Sequence, residues 1–220
     1  MKKRNLLLFM LLFISFTMVK AQNKEMFIEQ ISGKTMVREN FESGKLVGKQ
    51  VFTAEKMEQK GERFYLTIKT KIYDEEQKLS SVYSTTYQCN PNDANVLLSV
   101  FTFNPKDKKI SVSAKSSDFK RLYDLDANKM LRSLDLTLYI ETGLLNFLGS
   151  KNSVSIYNRS LSKNAQGWMI AENIRIKAYL LGIKIKTIDY KVMEYLTKDG
   201  LLRKQVFKQS NGDYFTIAYN

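Results

Sequence analysis

From Ser153 to Tyr219 the chain alternates apolar and polar residues with a period of two, broken at intervals by turn residues. Five runs carry the pattern: SVSIYNRSL (153–161), GWMIAENIRIKAYL (167–180), GIKIKTIDYKVMEYL (182–196), LLRKQVFKQ (201–209) and DYFTIAY (213–219). Successive side chains of a strand point to opposite faces, so each run predicts a strand with one dry face and one wet face. The last two breaks, Asp199–Gly200 and Asn211–Gly212, are strong hairpin signals because glycine takes positive φ without strain. Consecutive strands joined this way form an antiparallel meander. The runs 167–180 and 182–196 far exceed the usual strand of about five or six residues. Strands of that length twist, and a sheet of about ten of them curls into a barrel, a half-barrel or a roll.

Within this half, Ile174, Ile176 and Ala178 are expected on one face and Arg175 and Lys177 on the other. Ile183 and Ile185 alternate with Lys184 and Lys186 in the same fashion, which predicts a dry position for both isoleucines. Ile188, Tyr190 and Val192 have the opposite phase, so a bulge is expected near Thr187.

Upstream, Phe27 and Ile31 stand one helical turn apart and hint at a brief helix. Period-two patterning then predicts strands over 46–59, 63–73 and 78–89, broken at Gly61 and at the DEEQK segment from Asp74 to Lys78. Two further strands are expected over 95–103 and 110–114, after NPND and NPKDKK. The segment GLLNFLG (143–149) is apolar, has glycine at both ends, and is too short for a core helix. It reads as a short apolar helix or loop closing one end of the sheet, with Leu144, Leu145, Phe147 and Leu148 as candidate ligand-binding residues. The expected fold is all-β, a single strongly curved antiparallel sheet making one domain over 22–220.

The first residues decide where such a domain works. Lys2, Lys3 and Arg4 precede an apolar stretch from Leu6 to Val19, diluted by Ser15 and Thr17. A membrane-spanning helix needs about 20 apolar residues, and this run falls short. Val19 and Ala21 place small residues where a signal peptidase requires them for a cut before Gln22. Residues 1–21 are therefore expected to be a signal peptide, leaving an exported protein, periplasmic or outer-envelope associated, with no transmembrane span after cleavage.

Four basic residues and no acidic ones lie in that presequence, so the net charge falls from +13 to +9 on cleavage. A basic chain favours anionic partners, although here the cations mostly alternate with apolar residues, as on the wet face of a sheet. The chain has no histidine, which removes the commonest general base and zinc ligand. Its one cysteine, Cys89, has no intrachain disulfide partner and reads as a buried small residue.

Asp124, Asp126, Asn128 and Asp135 fall at positions 1, 3, 5 and 12 of a calcium loop, but Lys129 stands where the turn needs glycine, so no metal site is expected. Asp74, Glu75 and Glu76 are paired carboxylates at a hairpin turn, where they are solvated. Asp189 and Glu194 lie inside a long run and are expected to pair with lysines across the ladder. No S-x-x-K stretch sits on a helical pattern, and no phosphate loop, CxxC pair or HExxH occurs. No cofactor and no nucleic acid are expected.

Tyr87, Cys89, NRSL (158–161), MEY (193–195) and GLLRK (200–204) resemble the pattern of the TapB-like exported β-rich proteins of Gram-negative envelopes. The resemblance spans roughly residues 73–219, with NAQGWMIAENI standing where that pattern has T-P-A-G-T-F. It implies a curved antiparallel sheet and no enzymatic activity, and it brings no catalytic residues. The expected function is non-enzymatic: a binding or carrier module for an apolar or amphipathic ligand or another envelope protein. The alternative is a structural or adhesive protein whose basic outer face meets anionic polysaccharide or lipid.

Overall fold

A computed structural model of the chain describes residues 27–89, 109–115, 131–142, 150–180 and 183–220. A one-turn helix, α1 (Phe27–Ile31), comes first, as the Phe27–Ile31 spacing predicts. Twelve strands follow among the described residues: β1 (Thr35–Glu42), β2 (Lys45–Ala54), β3 (Glu58–Lys60), β4 (Arg63–Tyr73), β5 (Leu79–Cys89) and β6 (Lys109–Lys115). The second half holds β7 (Leu131–Thr142), β8 (Ser150–Asn164), β9 (Gly167–Leu180), β10 (Ile183–Leu196), β11 (Leu202–Lys208) and β12 (Tyr214–Tyr219). All belong to one sheet, in the order β2-β1-β12-β11-β10-β9-β8-β7-β6-β5-β4-β3. β2 pairs with β4 as well as β1, running from Lys49↔Tyr73 to Ala54↔Ile68, so the two arms of this order meet along β2.

Turn chemistry sets the hairpins. Gly200 (φ 83°) and Gly212 (φ 94°) take the left-handed positions that the Asp-Gly and Asn-Gly pairs predict. At the DEEQK turn Asp74 Oδ1 accepts the Lys78 amide at 2.9 Å, and Gln77 (φ 61°) is the left-handed residue. The side chains of Asp74, Glu75 and Glu76 stay exposed, as expected of a solvated turn.

The buried face follows the alternation. On β9, Ile170, Glu172, Ile174 and Ile176 are all buried and separated by single residues of lesser burial. Phe64, Leu66, Ile68 and Thr70 do the same on β4, Phe52 and Ala54 on β2, Phe207 on β11, and Phe215 and Ile217 on β12. Phe207 and Phe215 stack at 4.5 Å, and Tyr190 meets both edge-on at 5.8 and 5.7 Å. Such aromatic pairs add about 0.5–1.5 kcal/mol each beyond their buried area.

Three expectations need correction. The sheet is not wholly antiparallel: β5 and β6 pair in parallel, from Thr86↔Lys109 to Cys89↔Val112. The stretch 90–108 between them is long enough for the crossover a parallel pair requires. Ile183 and Ile185 are not dry, being 69% and 62% exposed. The irregularity lies between Lys184 and Lys186, just before Thr187, and β11 covers β10 only from Lys191 onward. The early part of β10 therefore has a neighbour on one side alone. Finally, β1 and β7 are strands where the sequence reading expects none, although Leu134, Leu136, Leu138 and Ile140 alternate plainly along the chain. The expected strand at 95–103, the presequence 1–21 and GLLNFLG at 143–149 lie outside the described residues.

Candidate functional site

A row of polar side chains crosses the buried face of five neighbouring strands, β8 to β12. Its first member is Arg159. Strict alternation with Val154 and Ile156 would turn Asn158 inward, yet Asn158 is exposed and Arg159 is buried. The cause is a bulge: the β8–β9 register shifts between Tyr157↔Asn173 and Ser160↔Ala171, and Asn158 takes φ 55°. Two residues of β8 then oppose Glu172, and the second, Arg159, shares its face. Asparagine tolerates this left-handed conformation better than most residues.

Arg159 Nη1 donates to Glu172 Oε2, and Arg159 Nη2 lies 3.2 Å from Glu194 Oε2. The three side chains are 8%, 3% and 10% exposed. Gln205 Nε2 donates to Glu194 Oε1 at 2.8 Å, across the direct ladder pair Glu194↔Gln205. Tyr219 Oη donates in turn to Gln205 Oε1. One guanidinium thus faces two carboxylates in a place with little water. Burial pushes the Glu172 carboxyl up to about 7, opposed by Arg159 and reinforced by the Glu194 charge. Burial also pushes the Tyr219 hydroxyl well above its ordinary value, keeping it a neutral donor.

Tyr219 joins this row to a cleft at one end of β9–β12. The cleft encloses about 520 Å³ and its aromatic wall is Trp168, Tyr195 and Tyr219. Leu196, Val206 and Ala218 add apolar surface, Gln166 and Asn220 polar groups, and Arg203 and Lys204 the charge. Among the described residues no acidic side chain lines it. The ladders place these residues together: Leu196 pairs with Trp168 and with Leu202, and Lys204 with Tyr195 and with Ala218. Gly167 fixes the wall. A Cβ there would overlap the Leu196 carbonyl oxygen and lie 3.0 Å from the Thr197 carbonyl carbon, so only glycine lets β9 start this close to the β10–β11 turn. Trp168 Nε1 donates to the Lys198 carbonyl at 3.3 Å, and Lys163 Nζ lies 5.1 Å from the indole centroid.

The candidate residues read from spacing fall elsewhere. Leu144, Leu145, Phe147 and Leu148 lie outside the described residues, as do Asp124, Asp126 and Asn128. Asp135 is a strand residue of β7 whose Oδ1 accepts Ser155 Oγ at 2.5 Å. Asp189 pairs across the ladder as expected, but with Arg175, at 2.7 Å, rather than with a lysine. Glu194 also pairs with a cation, but with Arg159 two strands away rather than a lysine opposite. Nothing in the spacing of Trp168, Arg203 and Lys204 marks them as a site. The available signal was Glu172, an acid in register with Ile170, Ile174 and Ile176.

No helix of the described residues is long and apolar enough to cross a membrane. No protein-family model matches the chain, and no curated protein matches it. Two solved structures are similar. One, from Bacteroides fragilis, is described as an exported protein with a YmcC-like fold; it is 12% identical with a TM-score of 0.43, over 86% of this chain and 94% of that one. The other, described as a lipoprotein from Parabacteroides distasonis, is 11% identical with a TM-score of 0.42, again over 86% of this chain and 94% of its own.

Proposed function

We propose that this chain is an exported, non-enzymatic binding module of the cell envelope whose ligand is an amphipathic anion. The cleft at the end of β9–β12 carries the reading. Three aromatic rings beside Leu196 and Val206 suit an apolar or planar portion, Arg203 and Lys204 suit a negative group, and no acidic side chain of the lining opposes it. The presequence supports export. In this reading one site serves both the amphipathic ligand and the anionic partner that the sequence suggests.

The chain has a single tryptophan, so its fluorescence reports on this cleft alone. Titration with dodecyl phosphate below its micelle concentration should shift Trp168 emission and saturate, while dodecyl maltoside should bind more weakly. Replacing Arg203 and Lys204 together by alanine should remove that preference. An unchanged spectrum with either amphiphile would reject the cleft as the site.

A second reading rests on the exposure of Ile183 and Ile185. They stand at the far end of β9 and β10, where β7 and β8 are joined by GLLNFLG, as the pairs Ile183↔Leu180, Lys151↔Tyr179 and Ile140↔Ser150 place them. In this reading the sheet curls around its dry face, and Leu144, Leu145, Phe147 and Leu148 form a plug for which an apolar ligand competes. Phe147→Ala should then tighten binding of a fluorescent fatty-acyl probe. A packed core phenylalanine would instead cost about 3–5 kcal/mol on removal and leave probe binding unaltered.

A further inference from the structure

A second cation on the buried face has no carboxylate partner among the described residues. Arg38 of β1 shares a face with buried Met36, and β2 presents Gln50 directly opposite, on the face of Phe52 and Ala54. The guanidinium carbon lies 3.9 Å from the centroid of Phe215, whose ring also stacks on Phe207. Arg38 Nε donates to Asn40 Oδ1 at 2.8 Å, which fixes the plane of the guanidinium. Among the described residues no carboxylate oxygen reaches ion-pair distance of it. Burial, partly offset by Tyr190, lowers its pKa to about 10, so it stays charged at neutral pH.

Across the ladder, Gln50 Oε1 is buried and accepts no hydrogen bond from the described residues. A half-buried cation without a counter-charge and a buried acceptor without a donor are each unfavourable, and among the described residues these two are direct cross-strand neighbours. The two needs are complementary. One ligand group that is negative and also carries an O–H would satisfy both.

We infer that Arg38 and Gln50 form an interior anion site for a phosphate-type group that keeps a hydroxyl donor, as a monoprotonated phosphate or a glycerol phosphate does. The planar guanidinium accepts two oxygens of such a group in a forked pair, and the Gln50 carbonyl takes its hydroxyl hydrogen. Sulfate has the oxygens but no proton at neutral pH. The site therefore prefers phosphate to sulfate, and Gln50 is the source of the preference. It is separate from the cleft bearing Trp168, Arg203 and Lys204, and it stands whether or not that cleft binds anything.

The test is calorimetric titration of the full chain with inorganic phosphate, glycerol phosphate and sulfate at constant ionic strength. Phosphate and glycerol phosphate should bind saturably, and sulfate about tenfold more weakly. Arg38→Met should weaken phosphate binding more than tenfold while raising the melting temperature without phosphate, because an apolar side chain replaces an uncompensated charge. Gln50→Leu should abolish the preference for phosphate over sulfate. The Arg203→Ala, Lys204→Ala double variant should bind glycerol phosphate unchanged. Dodecyl phosphate, titrated into the Arg203→Ala, Lys204→Ala variant with and without Arg38→Met, distinguishes the natural source of the group: Arg38-dependent binding much tighter than that of glycerol phosphate assigns a lipid headgroup, and equal binding a free phosphate ester. Equal binding of phosphate by wild type and Arg38→Met, or no saturable binding by wild type, overturns the inference. If Arg38→Met does not fold, Arg38→Lys, which keeps the charge and loses the fork, should still show the weakened phosphate affinity, and undiminished affinity refutes the site.

Discussion

The Arg159–Glu172–Glu194 cluster should make the protein lose stability as pH rises toward and through neutrality. The folded-state pKa of Glu172 is raised to about 7, while the unfolded chain releases that proton near the ordinary value of 4.5. Between those values the native state holds a proton that the unfolded state lacks. Unfolding free energy therefore falls with increasing pH across this window, the reverse of a salt-bridged carboxylate with a depressed pKa. The stabilisation is complete below about pH 4.5 and gone above about pH 7. A shift of about 2.5 units at about 1.4 kcal/mol per unit bounds the effect near 3 kcal/mol. The chain lends itself to the measurement because it has no histidine, the side chain that ordinarily titrates between pH 5 and 8. Urea unfolding at pH 5, 6, 7 and 8, compared with Glu172→Gln, isolates the carboxyl. Glutamine keeps the shape and can still accept from Arg159, so the variant should equal wild type near pH 5 and exceed it by up to about 3 kcal/mol at pH 8. Parallel stability curves for the two proteins would show that Glu172 ionises as an ordinary carboxylate and would refute the reasoning.

Four further outcomes are expected. Gly167→Ala should destabilise by at least about 2 kcal/mol in chemical unfolding, because its Cβ meets the Leu196 backbone rather than a movable side chain. Lys191→Glu should stabilise by about 0.2–1 kcal/mol, since Lys191 faces Lys208 directly across the β10–β11 ladder; an unchanged melting temperature would mean that solvent screens the pair fully. Calcium should leave the melting temperature unaltered, whereas a site at a hundred times its dissociation constant would add about 2.7 kcal/mol. The intact mass of protein extracted from the envelope should lack residues 1–21, and a full-length mass would reject cleavage before Gln22.

Period-two alternation made most of the strands legible, because burial on a sheet is written directly into side-chain parity. Strand β4 matches its predicted run of 63–73, and β9 its run of 167–180. What parity does not carry is lateral cover. Ile183 and Ile185 have the phase of a dry face but stand where β10 has no β11 beside it. Nor does parity reveal pairing partners, so the parallel β5–β6 ladder and the meeting of β2 with β4 were out of reach. The polar row was half legible. Glu172 breaks an isoleucine register visibly, but its partner Arg159 reaches the same face only through the bulge at Asn158, and no alternation rule places a bulge there. The cleft was less legible still, since Trp168, Lys204 and Tyr219 come from three strands that meet only through registers.

The ladder between β1 and β12 has a consequence for the order of events in folding. Met36 pairs with Tyr219 and Phe41 with Tyr214, so almost the whole chain separates partners that lie side by side. Contacts of such separation repay their loop-closure entropy late, and folding dominated by them is slow. β1 cannot complete its hydrogen bonding until β12 has emerged from the ribosome, and until then its edge stays open. A chain delayed in this way remains threadable, the state in which a narrow translocation pore accepts it. The same delay leaves its apolar strands exposed to one another meanwhile, so on the proposed exported route holding factors would matter more for this protein than for one whose early strands pair locally.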